Sequence, residues 1–197
     1  MNIVQVGRGI HMNHIVTSRE EILQVSRNLI NEKGWGAVNI RSVASACNVS
    51  VGSIYNYFHS KSDLVGATVE SVWCDIFHFP QNKDIFHSFV NCIQWIYERM
   101  EHGNHLYPGF FTLHSMSFLG KDKLKGQQLM QQSLEHIQKQ LCYILMHDDN
   151  VRPNCFTDSF TPEKFIEFVF SFIVSSLMKQ DYDPSILLEV IQRTVYK

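Results

Sequence analysis

The sequence predicts an all-α fold on three observations. No stretch alternates apolar and polar residues as a half-buried strand does, and apolar residues recur instead at spacings of three and four. Helix-start residues also stand ahead of these runs, at Ser18, Asn39, Ser50, Ser60 and Pro162. The same signals divide the chain into an arm over residues 1–17, a head of short helices over 18–66 and a larger helical body over 67–197. The arm opens MNIVQVGRGIHM, lacks helical periodicity and is expected to be flexible.

The first helix begins at a capping box, Ser18 with Glu21, presents Ile22, Val25, Leu29 and Ile30 on one face, and ends at Gly34. Asn39 caps a second helix, whose apolar face is Ile40, Val43, Ala44 and Cys47. Asn48 ends it, since asparagine enters the left-handed region at low cost. Val49 then plugs the corner, and Ser50 caps a third helix expected over Val51 to Tyr57. Two short helices joined by a tight turn make a helix-turn-helix.

On the third helix Ile54 and Phe58 lie four apart and face inward, and Trp35 is likewise expected in the core. Ser53, Tyr55, Asn56 and Tyr57 then turn outward. Asn56 has the paired donor and acceptor that suits adenine in a major groove, the tyrosine hydroxyls reach bases or phosphates, and Gly52 leaves room for close backbone approach. Packing of the Tyr55 ring beneath the motif is the alternative for that residue. Ser60 caps a fourth helix, SKSDLVGATVESVW, whose positive end forms a phosphate seat beside Lys61.

Residues 18 to about 73 resemble the DNA-binding domain of TetR-family (tetracycline-repressor-like) transcriptional regulators. The resemblance rests on Gly34-Trp35, Ile40-Arg41, Val43-Ala44, Val49-Ser50, Gly52-Ser53-Ile54-Tyr55, Tyr57-Phe58 and Lys61-Ser62-Asp63-Leu64. It implies nine or ten helices, a homodimer, and a palindromic double-stranded DNA operator released when a small molecule binds the C-terminal domain. It also implies that Arg41, Ser50, Ser53, Tyr55, Tyr57 and Lys61 touch DNA. Asn39 stands where the family commonly has threonine and Asn48 where it has glycine, and both can do the same backbone work.

In the body, a break at Phe79-Pro80-Gln81-Asn82-Lys83 closes the fourth helix. A helix follows from about Ile85 to His102, with Gly103 and Pro108-Gly109 marking a further turn. Residues 123–147 carry Leu134, Ile137, Leu141 and Ile144 at spacings of three and four. Pro162 opens a helix, PEKFIEFVFSFIVSSLMK, and Asp183-Pro184 opens the last one. The helix at 162–180 is apolar nearly all round, but it is too short and too charged at Glu167 to span a membrane. A dimer interface explains it, with Phe168, Phe172 and Ser175 on the contact; the resemblance implies that it pairs with 123–147 as a four-helix bundle, which brings in Leu134, Ile137 and Leu141.

Between head and bundle the chain is rich in aromatic residues and methionine. Trp73, Phe77, Phe89, Trp95, Met100, Phe110, His114 and Phe118 are the expected lining of a pocket for a lipophilic or aromatic effector, although each also reads as ordinary core.

Composition agrees. At 197 residues and 45% hydrophobic the chain buries a sizeable core, and a net charge of -2 excludes a surface coated with nucleic acid. The basic excess lies in residues 1–66, where Arg8, Arg19, Arg27, Lys33, Arg41 and Lys61 face Glu20, Glu21, Glu32 and Asp63. The five cysteines form no C-x-x-C pair and no secretory signal precedes them, so reduced thiols in a cytoplasmic protein are expected. Ten histidines include the four-spaced pairs Cys74–His78, Glu98–His102 and Glu101–His105, but two ligands are too few for a metal site, and no metal or cofactor is expected. G-x-S-x-G, H-E-x-x-H and phosphate-binding glycine loops are absent, so the chain is not expected to be an enzyme. The alternative to a DNA-binding regulator is a helical ligand or metal sensor acting through protein contacts.

Overall fold

The computed structural model describes residues 17–77, 86, 88–111 and 124–197, with side chains from residue 135 onward in the last stretch. The arm before Thr17, the break at residues 79–83, His78, His114, Phe118 and the side chain of Leu134 lie outside the described residues. The described elements are α1 (Arg19–Lys33), a 3-10 turn (Trp35–Ala37), α2 (Ile40–Ala46), α3 (Val51–Tyr55), α4 (Lys61–Ile76), α5 (Phe89–Leu106), α6 (Leu124–Met146), α7 (Pro162–Lys179) and α8 (Ser185–Val195). Among the described residues the only strand-like pairing is a single bridge between Val151 and Tyr196. The chain divides into two units, one ending at Thr68 and the other beginning at Val69, and α4 contributes residues to both.

In the first unit the core is Ile22, Ile30, Val43, Ile54, Phe58 and Leu64, each at most 1% exposed. Local hydrogen bonds set the helix ends around it. Ser18 Oγ accepts from Glu21 N–H, and Asn39 Oδ1 accepts from the N–H groups of Arg41 and Ser42. Gly34 closes α1 at φ 77, where a side chain is strained, and donates its N–H to Ile30 O. Asn48 turns the corner at φ 55. Trp35, expected in the core, is only partly buried in the 3-10 turn.

Two boundaries differ from expectation. The third helix ends at Tyr55 rather than Tyr57, because Phe58 must turn into the core and because His59 and Ser60 already serve the next cap. The helix expected from about Ile85 to His102 runs instead from Phe89 to Leu106. Ser88 Oγ accepts from Asn91 N–H and starts it, and Gly103 continues it, packed where no side chain fits.

In the second unit α6 packs with α7, and α5 packs with both α6 and α8. Tyr97, almost fully buried on α5, donates to Ser176 Oγ on α7 at 3.0 Å, so a buried polar pair fixes how those helices meet. The first turn of α5 is tied to the chain's C-terminus: Asp148 accepts from Phe89 N–H at 2.7 Å and from Tyr196 OH, which itself accepts from Val90 N–H.

Candidate nucleic-acid interface and effector site

Ser50 caps α3 by accepting from Ser53 N–H at 3.1 Å, and its hydroxyl also pairs with that of Ser53. With Ile54 and Phe58 fully buried, the remaining side chains of this short element are presented outward. Tyr55 is 47% exposed, so its ring is not packed beneath the motif. Gly52, Asn56, Arg41 and Lys61 are exposed, while Ser53 is half-buried. All eight residues singled out from the sequence therefore lie in one unit, on α2, the cap of α3, α3 itself, the turn after it and the first residue of α4.

Tyr57 has a different setting from Tyr55. Its hydroxyl donates to Thr17 O at 2.6 Å, and Thr17 is buried with its own hydroxyl donating to Glu21. Tyr57 thus ties the chain before α1 to the end of the helix-turn-helix. At the start of α4 two internal bonds close a capping pair, Ser60 Oγ accepting from Asp63 N–H and Asp63 accepting from His59 N–H. Asp63 therefore uses donors at the phosphate seat expected beside Lys61, and brings negative charge there. Lys61 remains exposed.

One further side chain is open on this face. Val51, the first of α3, is 40% exposed and places an apolar side chain suited to a thymine methyl beside the polar ones. Nothing in its residue type marks it, and only the exposure distinguishes it.

Among the described residues the ring contacts of the second unit fall in separate groups. Trp73 stacks on Phe77 at 5.3 Å and meets Phe110 and Phe111 edge-on at 5.2 and 5.7 Å. Trp95 meets Phe86, and Phe89 packs near Phe165. Met100 is fully buried. Helical spacing places these rings on faces without saying which of them meet.

The expected dimer residues also separate. Leu141 is 0% exposed, so it packs within the chain and is corrected from interface to core. Phe168 is 51% exposed on α7, with Val174 and Met178 also open and Phe172 and Ser175 partly so. On α6 Ile137 is half-buried, while Tyr143 and Met146 are open. Among the described residues no group of three or more His, Cys, Asp or Glu is placed to hold a metal, and no helix is long and apolar enough to cross a membrane.

Residues 22–68, which include α2, α3 and most of α1, match the bacterial regulatory proteins of the tetR family. That stretch of the chain is a tetR-family segment. An HTH-type transcriptional regulator of Staphylococcus aureus is 30% identical to the chain over 79 residues, 39% of this chain and 42% of the relative. The chain thus spans less than half the length of the curated relatives it matches. Solved structures extend the likeness in fold to both units of the chain. A transcriptional regulator from Rhodococcus matches at TM-score 0.59 and 12% identity, over 91% of this chain and 98% of the other. A putative tetR-type regulator from Streptomyces avermitilis matches at 0.55 and 16%, over 90% and 97%.

Proposed function

We propose that this protein is a cytoplasmic, ligand-responsive transcriptional repressor that binds a palindromic operator as a homodimer and is released by a small lipophilic or aromatic effector. The observation that carries the DNA-binding part is the capped α3, with Val51, Gly52, Tyr55 and Asn56 open above a buried Ile54. Arg41 and Lys61 position the element on phosphates, and the α3 side chains read base edges. Two copies set their α3 helices in successive major grooves about 34–36 Å apart.

The test is a mobility shift on DNA flanking the gene, over a salt series with nonspecific competitor. Tyr55→Ala or Asn56→Ala is expected to weaken specific binding by about tenfold or more, with the thermal unfolding of the protein unchanged because both side chains are exposed. Operator affinity unaltered in both variants would remove them as readers.

The open apolar side chains of α7 support the homodimer, since an exposed row of large apolar residues calls for a partner. Phe168→Glu is expected to yield monomers in sedimentation equilibrium and to abolish tight operator binding. A dimer of undiminished stability would place the contact elsewhere.

The effector site is assigned to the second unit, and α4 is its link to the head. Displacing the C-terminal end of α4 is carried along the helix toward Lys61. A coupling of roughly 1–3 kcal/mol suffices to change operator affinity about 5- to 150-fold.

A further inference from the structure

The Trp73 indole is the one ring of its cluster with a hydrogen-bond donor, and its Nε1 is buried with no partner. Leaving a buried donor unmade is costly, and an aromatic ring is at best a weak acceptor for it. Native proteins keep few such groups, and each one calls for a reason. Trp73 stands where α4 meets the turn after α5, beside Phe77, Phe110 and Phe111. Phe77 is only half-buried, lies nearly parallel to the indole at 22°, and follows the last residue of α4.

The charges nearby already have partners. Arg99 Nε donates to Ile76 O at 2.6 Å and its Nη2 to Asp75 O at 2.9 Å, which offsets the negative end of α4. Tyr107 OH donates to the Asp75 carboxylate at 2.8 Å. Four aromatic rings alone would suit a cation, but an unpaired N–H donor repels one, and the local carboxylate and helix end are already matched.

We propose that Trp73 Nε1–H is the anchoring donor of the effector site, and that the ligand is a small, flat, uncharged molecule carrying a carbonyl-type oxygen. The ligand takes the place of Phe77 on the indole face and gives its oxygen to Nε1–H. Moving Phe77 pulls on the C-terminal end of α4, which is how occupancy reaches the head. This inference rests on the effector-site reading above.

The test uses the full-length protein labelled with 15N and follows its three tryptophan indole N–H signals, assigned by single Trp→Phe variants. Three probes are titrated: coumarin, naphthalene and benzyltrimethylammonium. Coumarin is expected to saturate with a downfield shift of the Trp73 signal and to bind about fivefold or more tighter than naphthalene, the difference made by one hydrogen bond. Trp73→Phe, which keeps a ring and removes the donor, is expected to make coumarin and naphthalene bind equally. The wild-type comparison of the two probes stands even if that variant folds poorly. Equal binding of the two to the wild type, tighter binding of the cation, or no saturable change at Trp73 up to millimolar probe would each overturn the proposal. Operator release is measured alongside. Release without any change at Trp73 sinks this assignment and leaves the effector reading in place, whereas saturation at Trp73 without release sinks the effector reading and leaves the site.

Discussion

Asp148→Ala is expected to destabilise the second unit by about 3 kcal/mol, read as a lower urea midpoint with an unchanged slope. The Asp148 carboxylate is 9% exposed and accepts from four donors: Phe89 N–H, Asn150 N–H, the Asn150 side chain and Tyr196 OH. Alanine strands the Phe89 N–H at a buried helix start and leaves the Tyr196 hydroxyl without its acceptor, and each unmet donor carries a desolvation penalty of its own. Tyr196→Phe removes a single donor to that carboxylate and is expected to cost about 1 kcal/mol. Equal losses in the two variants would show that the carboxylate does no more than hold the C-terminal tyrosine.

The same cluster sets a pH dependence. Burial raises the Asp148 carboxyl, but the hydrogen bonds from Tyr196, Phe89 and Asn150 together outweigh it and hold the group below its ordinary value. A lowered folded pKa means stability that is fully present above the unfolded value, about 3.9, and is lost as pH falls through the folded one. Acid unfolding of the wild type is therefore expected to contain a component that Asp148→Ala lacks. Tyr196 acts at the other end of the scale. Burial first, then its bond to Asp148, push its hydroxyl up to about 12, so its contribution holds below the ordinary pKa and fades as pH rises toward 12.

Gly103→Ala is expected to cost about 1–2 kcal/mol, although alanine is the better helix former by roughly 1 kcal/mol. A Cβ at Gly103 would stand 2.8–2.9 Å from three atoms of the Ile76 side chain, which is itself buried and stiff at its branched carbon. α5 and the end of α4 must then part. Arg99 and Tyr107 hold that same end by hydrogen bonds to the backbone carbonyls of Asp75 and Ile76 and to the Asp75 side chain. Ile76→Ala clears the clash, so the double variant is expected to lose about 1 kcal/mol less than the sum of the singles. Additive losses would mean that the two positions do not press on each other. If α4 carries the effector signal, Gly103→Ala should also shift operator affinity in the absence of any ligand.

What the chain determines by itself is whatever is settled within about four residues. Ser18, Asn39, Ser50 and Ser60 each cap a helix through a side chain bonded to an N–H three residues or fewer away, and Asn48 takes the turn from its own backbone preference. Those groups satisfy one another without help from the rest of the molecule, so type and spacing suffice to read them. The candidate DNA-reading face was legible for the same reason, because the buried Ile54 and Phe58 leave its orientation no choice.

Tertiary structure decided the pairings. Tyr57 meets Thr17 across 40 residues, Phe89 meets Asp148 across 59, and Tyr97 meets Ser176 across 79. Helical periodicity says which residues share a face but not which helix covers it. For that reason Leu141 and Phe168, both apolar and both named for an interface, end up fully buried in one case and half exposed in the other. The unpartnered Nε1 of Trp73 belongs with these, since a missing partner is a property of everything packed around a group and of no residue alone.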